Sequence, residues 1–278
     1  MTANDTTLPS ETGPRDLPAP AAATISGIVL RPLLLFVAGY IVSNSLHELA
    51  HALTAYWLGI PATLFHFYVS MNLNDETLGS QALVRAAGPV FSLAFGVLCW
   101  FAHRGLRGTW FELPLFYLAV FGVANFLGNT VSVAFVGDFS NLAAALNLST
   151  ELRYAVSGVG LFLLIGFAFD IGRELREWVP NGMGAFRGML ALVAVPVALG
   201  TAVMVLVYQP MASVAVSARV SENAFWIFVA VGALVGSARP GRDPRGLLVR
   251  PADWALAIAA LVLLRALALG VPFEPVAV

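Results

Sequence analysis

Long apolar runs are the feature that most restricts how this chain can fold. A helix needs about 20 apolar residues to cross the hydrocarbon of a bilayer. A backbone in hydrocarbon must pair all of its own polar groups, so such runs are expected to be helical. Seven runs qualify, the sixth being short, and they cover residues 25–60, 82–101, 113–136, 155–171, 189–208, 224–237 and 254–270. The sequence therefore predicts an all-α polytopic membrane protein with about six to seven transmembrane helices.

The composition supports this class of protein. Only 11% of the 278 residues are charged, whereas soluble domains carry about 25%, and the mean hydropathy is +0.82. The net charge of −1 argues against a nucleic-acid partner. The single cysteine, Cys99, excludes an intrachain disulfide. The expected surroundings are the lipid bilayer.

Three segments outside the spans have their own patterns. Residues 1–24 are polar and rich in Thr, Pro and Ala, which predicts a disordered tail. After Pro61, aromatic and polar residues nearly alternate around residues 65–68, which predicts a short strand or hairpin with the NLND sequence (72–75) as its turn. Residues 138–150 are expected to form a short interfacial helix.

The arginines predict an orientation. Eleven lie on the N-terminal side of the membrane, namely Arg15, Arg31, Arg104, Arg107, Arg173, Arg176, Arg187, Arg239, Arg242, Arg245 and Arg250. Only Arg85, Arg153 and Arg219 lie on the opposite side, and Arg265 falls inside the last span. Because basic residues concentrate on the cytoplasmic side, we expect the N terminus to be cytoplasmic. The expected location is the cytoplasmic membrane of a bacterium.

The first span contains ionisable residues that hydrocarbon disfavours. His47, Glu48 and His51 form an HExxH sequence, HELAH, inside this apolar run. On a helix, the two histidines lie on consecutive turns of one face, so both imidazoles can bind one ion, while Glu48 can act as a general base on a bound water. A chance match belongs in a loop, whereas each charge here costs about 2.5–3.5 kcal/mol of insertion free energy. The pattern favours a metal site.

A catalytic zinc site usually has three protein ligands, so a third must come from elsewhere. Candidates are His66, His103, Glu112, Asp138, Glu151 and Asp170. His103 and Asp170 fall at the wrong ends of their spans, and the aromatic setting of His66 favours a structural role. Asp138 closes the third span on the same side as His47. An alternative role for Asp138 is to cap the following helix, and the residues alone leave both roles open.

The chain resembles the site-2 protease family of intramembrane metalloproteases in three segments. HELAHALTAYWLG (47–59) is similar to the family's metal-binding helix, RAAGPVFS (85–92) to its Ala-Gly-Pro element, and NFLGNTVSVAFVGDFSN (125–141) to the segment that completes the zinc site. The resemblance covers residues about 30–145. It departs from the family at Ser92, where Asn is common, and in the absence of proline between Asn129 and Asp138.

The resemblance implies Zn²⁺ held by His47, His51 and Asp138, with Glu48 as the base, in a metalloprotease core over residues 25–150. The implied reaction is hydrolysis of a peptide bond within or beside a membrane-spanning substrate. Residues 151–278 would add helices of unknown role. The family generally places its zinc nearer the cytoplasmic face, whereas the arginine distribution places His47 nearer the opposite face.

Asn125 and Asn129 lie on one face of the third span. They are candidates for binding the freed backbone of a substrate or an oxyanion, and the alternative is a hydrogen bond between packed helices.

Two other classes of function fit the residues less well. A non-catalytic relative would use the fold as a binding or regulatory module, and Glu48 would then be dispensable. A metal transporter would need further polar residues along several spans, and the last three spans offer almost none.

Overall fold

The computed structural model describes residues 25–180, 182–208, 223–236 and 247–275, so the predicted disordered tail lies outside the described residues. Within these ranges the chain forms eight helices and three short strands. The helices are α1 (Ile25–Trp57), α2 (Leu78–Gly105), α3 (Glu112–Val131), α4 (Asp138–Ala145), α5 (Thr150–Arg176), α6 (Ala185–Val207), α7 (Trp226–Val235) and α8 (Pro251–Leu267). The strands are β1 (Ala62–Leu64), β2 (Val69–Met71) and β3 (Val271–Phe273).

Five helices are long and apolar enough to cross a membrane. They are α1, α2, α3 with the 3-10 turn that extends it to Ala134, α5 and α6. The last of these contains a π-helical turn at Leu190–Ala194. The prediction of an all-α polytopic membrane protein with a short β element is confirmed.

The last two predicted spans are shorter in the structure. The ten residues of α7 rise about 15 Å, which is half of the hydrocarbon thickness. The 17 residues of α8 are at the lower limit for a span, about 17 residues. Both pack beside longer helices, α7 against α5 and α8 against α1.

The β element after α1 is a hairpin, as predicted, but its turn is elsewhere. Strands β1 and β2 pair antiparallel, with Leu64 opposite Val69, and Phe65 N–H donates to Tyr68 O at 2.9 Å. Residues 65–68 are therefore the turn, and the NLND sequence follows β2 in a local turn of its own, where Asn74 N–H donates to Asn72 Oδ1. The prediction of NLND as the hairpin turn is wrong, because the chain reverses direction at residues 65–68, before β2, and NLND comes after β2.

Helix α1 is the centre of the bundle. In its apolar stretch 78% of the residues are buried, against 28% in α5. It packs against α2, α3, α6 and α8. Burial of Phe36 and Ile41 on a helix that is apolar around most of its circumference is typical of a central helix. The other long helices keep one apolar face outside, which suits contact with lipid.

Glycines bring the helices around α1 into close contact. A Cβ atom at Gly96 of α2 would lie 2.6 Å from the backbone nitrogen of Val123 in α3, and one at Gly232 of α7 would lie 2.7 Å from the carbonyl oxygen of Phe169 in α5. Small residues allow such backbone contact in membranes, where dispersion rather than the hydrophobic effect drives packing. The crossing of α2 and α3 sets where the polar end of α3 lies.

A buried ion pair holds the ends of α1 and α8 together. Arg31 donates from Nε to Asp253 Oδ1 at 3.1 Å and from its terminal nitrogen to Trp110 O at 3.0 Å. Trp110 Nε1 donates to the same Asp253 oxygen, and both charged side chains are buried. Because this network pairs its polar groups, it can lie in the apolar interior. It is at the opposite end of α1 from His47.

The orientation predicted from the arginines can be tested with the two ends of α2, which lie about 42 Å apart for 28 residues. We expect Asn74→Cys, exposed before α2, to react with a membrane-impermeant maleimide on intact cells. We expect Thr109→Cys, exposed after α2, to react only after permeabilisation. The control is the unaltered chain, whose Cys99 is buried. The reverse labelling would put the HELAH end at the cytoplasmic face.

Candidate metal centre

His47 and His51 lie on consecutive turns of α1, and both imidazoles are buried. The rings meet edge to face, with centroids 4.8 Å apart, and their Nε2 atoms are 3.2 Å apart. The helical spacing of four residues produces this arrangement, because it leaves the side chains one turn apart on one face. Two ring nitrogens are thereby aimed at one point.

Asp138 brings a carboxylate to the same point from another helix. It is the first residue of α4, separated by residues 135–137 from the 3-10 turn that ends α3. Its Oδ2 atom lies 3.1 Å from His47 Nε2 and 3.4 Å from His51 Nε2. Of the ranges that the structure describes, these three residues form the one group of three His, Cys, Asp or Glu side chains placed to hold a metal ion.

The alternative role of Asp138 as a helix cap is wrong. Gly137 occupies the N-cap position, with a φ of 101°, and no side chain caps this end of α4. A residue with a side chain would be strained at that φ. Gly137 therefore makes the sharp turn, and the Asp138 side chain is left to face the histidines.

The three donor atoms form a nearly equilateral triangle with sides of 3.1, 3.2 and 3.4 Å. Its centre lies about 1.9 Å from each atom, and ligands of a tetrahedral ion with bonds of about 2.0–2.1 Å are about 3.3–3.4 Å apart. Two imidazoles and a carboxylate are also ligands that divalent transition metals accept. The residues present therefore fit a metal ion in both size and chemistry.

The far side of each imidazole is also fixed. His51 Nδ1 lies 2.6 Å from the carbonyl oxygen of Val84, which can only accept, so this nitrogen carries a proton, and in the neutral ring Nε2 has the lone pair. His47 Nδ1 lies 3.0 Å from Ser92 Oγ, a hydroxyl that can accept the corresponding proton. A metal-binding histidine usually donates its other N–H to such a partner, which fixes its tautomer and orientation.

Gly88 leaves the space that the ion requires. A Cβ atom there would clash with His51 Nε2 and would lie 2.7 Å from His47 Nε2. The absence of a side chain thus keeps open the region between the two ring nitrogens. Val84, Gly88 and Ser92 follow one another at intervals of four, so one face of α2 borders both histidines.

The Asp138 side chain is the most accessible part of the site, with 30% of its surface exposed against 5% for His47. Burial raises the pKa of Asp138, but hydrogen bonds from His47 and His51 outweigh burial and hold that pKa well below its usual range. The carboxylate is therefore ionised at neutral pH. Its exposure leaves the site accessible to water from this side.

Glu48 lies beside the cluster on α1. It is partly exposed, and its charge acts on His51. Its predicted role as a general base stays a prediction.

The two asparagines lie near the Asp138 turn and bond to each other. Asn129 Nδ2 donates to both Asn125 Oδ1, at 3.1 Å, and the Asn125 carbonyl oxygen. A Cβ atom at Gly137 would lie 3.4 Å from Asn129 Oδ1. Both hydrogen bonds lie within α3. They are therefore not the hydrogen bond between packed helices that was the alternative role. Their proposed role toward substrate stays a prediction.

The remaining candidates for the third ligand lie apart from the cluster. His66 faces the Tyr208 carbonyl oxygen, and Glu151 is exposed in the first turn of α5. At the opposite end of the bundle, His103 is buried between the Glu112 carbonyl and the Glu174 carboxylate, and Asp170 pairs with Arg173. The sequence argument that excluded His103 and Asp170 by their ends of the spans is consistent with these positions.

Sequence reasoning missed the contribution of α2 to the site. The sequence identified Gly88 and Pro89 only as part of the RAAGPVFS segment (85–92), and it gave Ser92 no role toward His47. A signal was present in the spacing of Val84, Gly88 and Ser92, but that spacing identifies only a helix face, and which face points at α1 depends on the packing.

Comparison with protein-family models, with curated proteins and with solved structures finds no match at the level of significance applied.

We expect Gly88→Ala to weaken binding of a divalent metal ion by at least about 10-fold, a loss typical of disturbing the surroundings of a metal ligand, because the added methyl group displaces the imidazoles. Chelator competition on the purified protein measures this. Gly105→Ala, at the other end of α2 with open space around it, is the matched control. Equal affinity in both variants would contradict the assignment of Gly88.

Proposed function

We propose that the protein is an intramembrane zinc metalloendopeptidase of the site-2 protease type. The observation that carries this proposal is the convergence of His47, His51 and Asp138 on one point. The two histidines and Glu48 lie in α1, a helix long and apolar enough to cross a membrane. The HExxH sequence on a helix is typical of zinc hydrolases. An ion-binding group of this kind, set in an apolar helix, favours a substrate that is itself in or near the membrane.

In this proposal His47, His51 and Asp138 would hold the ion. A zinc ion bound there would polarise the scissile carbonyl and lower the pKa of water. Val84 and Ser92 fix the orientation of the imidazoles through their Nδ1 atoms, so that both Nε2 atoms face the place of the ion. Because both imidazoles are buried, electrostatic interactions there are stronger than in water.

Glu48 supplies the proton transfers. Its carboxylate takes a proton from water as the water oxygen forms a bond to the peptide carbon. The same proton is then given to the peptide nitrogen as the C–N bond breaks, so that a carboxylic acid, which keeps the second proton of the water, and an amine leave the site. A general base in this position contributes about 10²–10⁴-fold to a rate.

The substrate we propose is a membrane-spanning peptide that unwinds locally at the site. Its backbone groups are paired in a helix, and hydrolysis requires that some of them be freed. Asn125 and Asn129 are polar side chains of α3 near the Asp138 turn, and their mutual hydrogen bond uses only part of the hydrogen-bonding capacity of the two amides. Their role is part of the proposal.

A metal transporter is less well supported. A transport route needs successive ligand groups through the membrane, whereas the described residues contain one three-residue group that could hold an ion. That group is also held rigidly, since each imidazole is hydrogen-bonded on its far side.

We expect Glu48→Gln to keep Zn²⁺ bound and to lose about 10²–10⁴-fold of the rate at which a single-span model substrate is cleaved. The reason is that glutamine keeps the shape of the side chain but cannot take a proton. Metal analysis of the purified protein and cleavage in detergent or liposomes measure the two quantities.

Glu151→Gln is the matched control, because it makes the same change at an exposed position and should leave cleavage unchanged. Cleavage by Glu48→Gln at the rate of the unaltered protein, with zinc bound, would remove Glu48 from the mechanism. A purified protein without zinc would contradict the metal centre.

A further inference from the structure

Asp138 is the one proposed metal ligand that α1 does not carry, so its position depends on what holds α4. That helix has only eight residues, and isolated helices shorter than about 12–15 residues are marginal. No side chain caps its N terminus. The position of α4, and with it that of Asp138, therefore depends on contacts with other helices.

Two arginines bind backbone carbonyl oxygens of α4 and of the turn that follows it. Arg85 of α2 donates to Asn141 O, in the middle of α4, at 2.7 Å. Arg153 of α5 donates to Ala143 O and to Leu148 O, both at 3.1 Å. Ala143 lies in the last turn of α4, where the helix dipole favours a positive charge. The two arginines connect α4 to two long helices.

The two arginines are unusual in the sequence. They are two of the three that lie on the side of the membrane with few basic residues. Both are half-buried, and both bind backbone, whereas Arg173, at the opposite end of the bundle, has 63% of its side chain exposed. Their positions are explained by the α4 contacts better than by contact with lipid headgroups.

Arg85 also connects α4 directly to the surroundings of the histidines. It follows Val84, whose carbonyl accepts from His51, and precedes Gly88 by three residues, or nearly one turn. A single turn of α2 thus fixes one imidazole through its backbone and positions the carboxylate helix through a guanidinium group.

We propose that Arg85 and Arg153 are positioning residues for the metal centre, which act by holding α4 so that Asp138 reaches the two histidines. This inference rests on the metal centre proposed above. Neither arginine belongs to the group of three residues that could hold the ion. The contacts of Arg85 and Arg153 with the backbone of residues 141–148 form a clamp on α4. Without this clamp, α4 and Asp138 would move away from the imidazoles, and only His47 and His51 would remain as ligands.

The test is Zn²⁺ affinity of the purified full-length chain, measured by chelator competition. We expect Arg85→Gln and Arg153→Gln each to weaken binding by about 10–100-fold, as loss of supporting contacts does elsewhere. Arg85→Lys should recover part of the loss, because an ammonium group can still donate one hydrogen bond to Asn141 O. The matched control is Arg173→Gln, which should bind Zn²⁺ like the unaltered protein.

A second readout separates positioning from general destabilisation. In an Asp138→Ala chain the clamp has no ligand to place, so adding Arg85→Gln should cause little further loss of affinity. With Co²⁺ as the probe, the visible absorption of Arg85→Gln should shift toward that of Asp138→Ala.

Unchanged affinity and an unchanged Co²⁺ spectrum in both arginine variants would overturn the clamp while leaving the metal centre intact. An equal loss in the Asp138→Ala background would also overturn it, because the effect would then be general. An unaltered chain that binds neither ion would overturn both the clamp and the metal centre.

Discussion

The interaction on which the rest of the site depends is the contact between one face of α2 and the two imidazoles of α1. Polar side chains in an apolar interior need partners, and α2 provides them with a carbonyl at Val84 and a hydroxyl at Ser92. Gly88, between them in the sequence, has no side chain where the two Nε2 atoms face each other. The helix thus fixes the rings and leaves room for what they bind.

A second requirement is that a carboxylate reach the same point from a different part of the chain. The close crossing of α2 and α3 sets where α3 ends, and Gly137 turns the chain sharply so that α4 begins with Asp138. Ser157 of α5 supports this region, since its hydroxyl donates to Val131 O at 2.7 Å. The carboxylate is therefore placed by three helices, although it is adjacent to none of the histidines in the sequence.

The two ends of the bundle handle buried charge differently. At the end away from the HELAH sequence, Arg31 and Asp253 form an ion pair, and Trp110 donates to the same carboxylate oxygen. These buried charges therefore need no bound ion. At the other end, two imidazole nitrogens and one carboxylate oxygen face a common point. These are ligand atoms that suit a divalent cation. This contrast is the physical basis for placing the candidate metal centre at this end.

The sequence alone determined the class of fold and half of the site. Apolar runs of sufficient length must be helices in hydrocarbon, and a spacing of four on a helix brings His47 and His51 together whatever surrounds them. Nothing local brings Asp138 within 3.1 Å of His47, and its alternative role as a cap was equally consistent with the residues. Only the tertiary structure decided between them, and only it showed which face of α2 meets the histidines and where the hairpin turns. Contacts between distant segments depend on how whole helices pack, which the spacing within one segment does not specify.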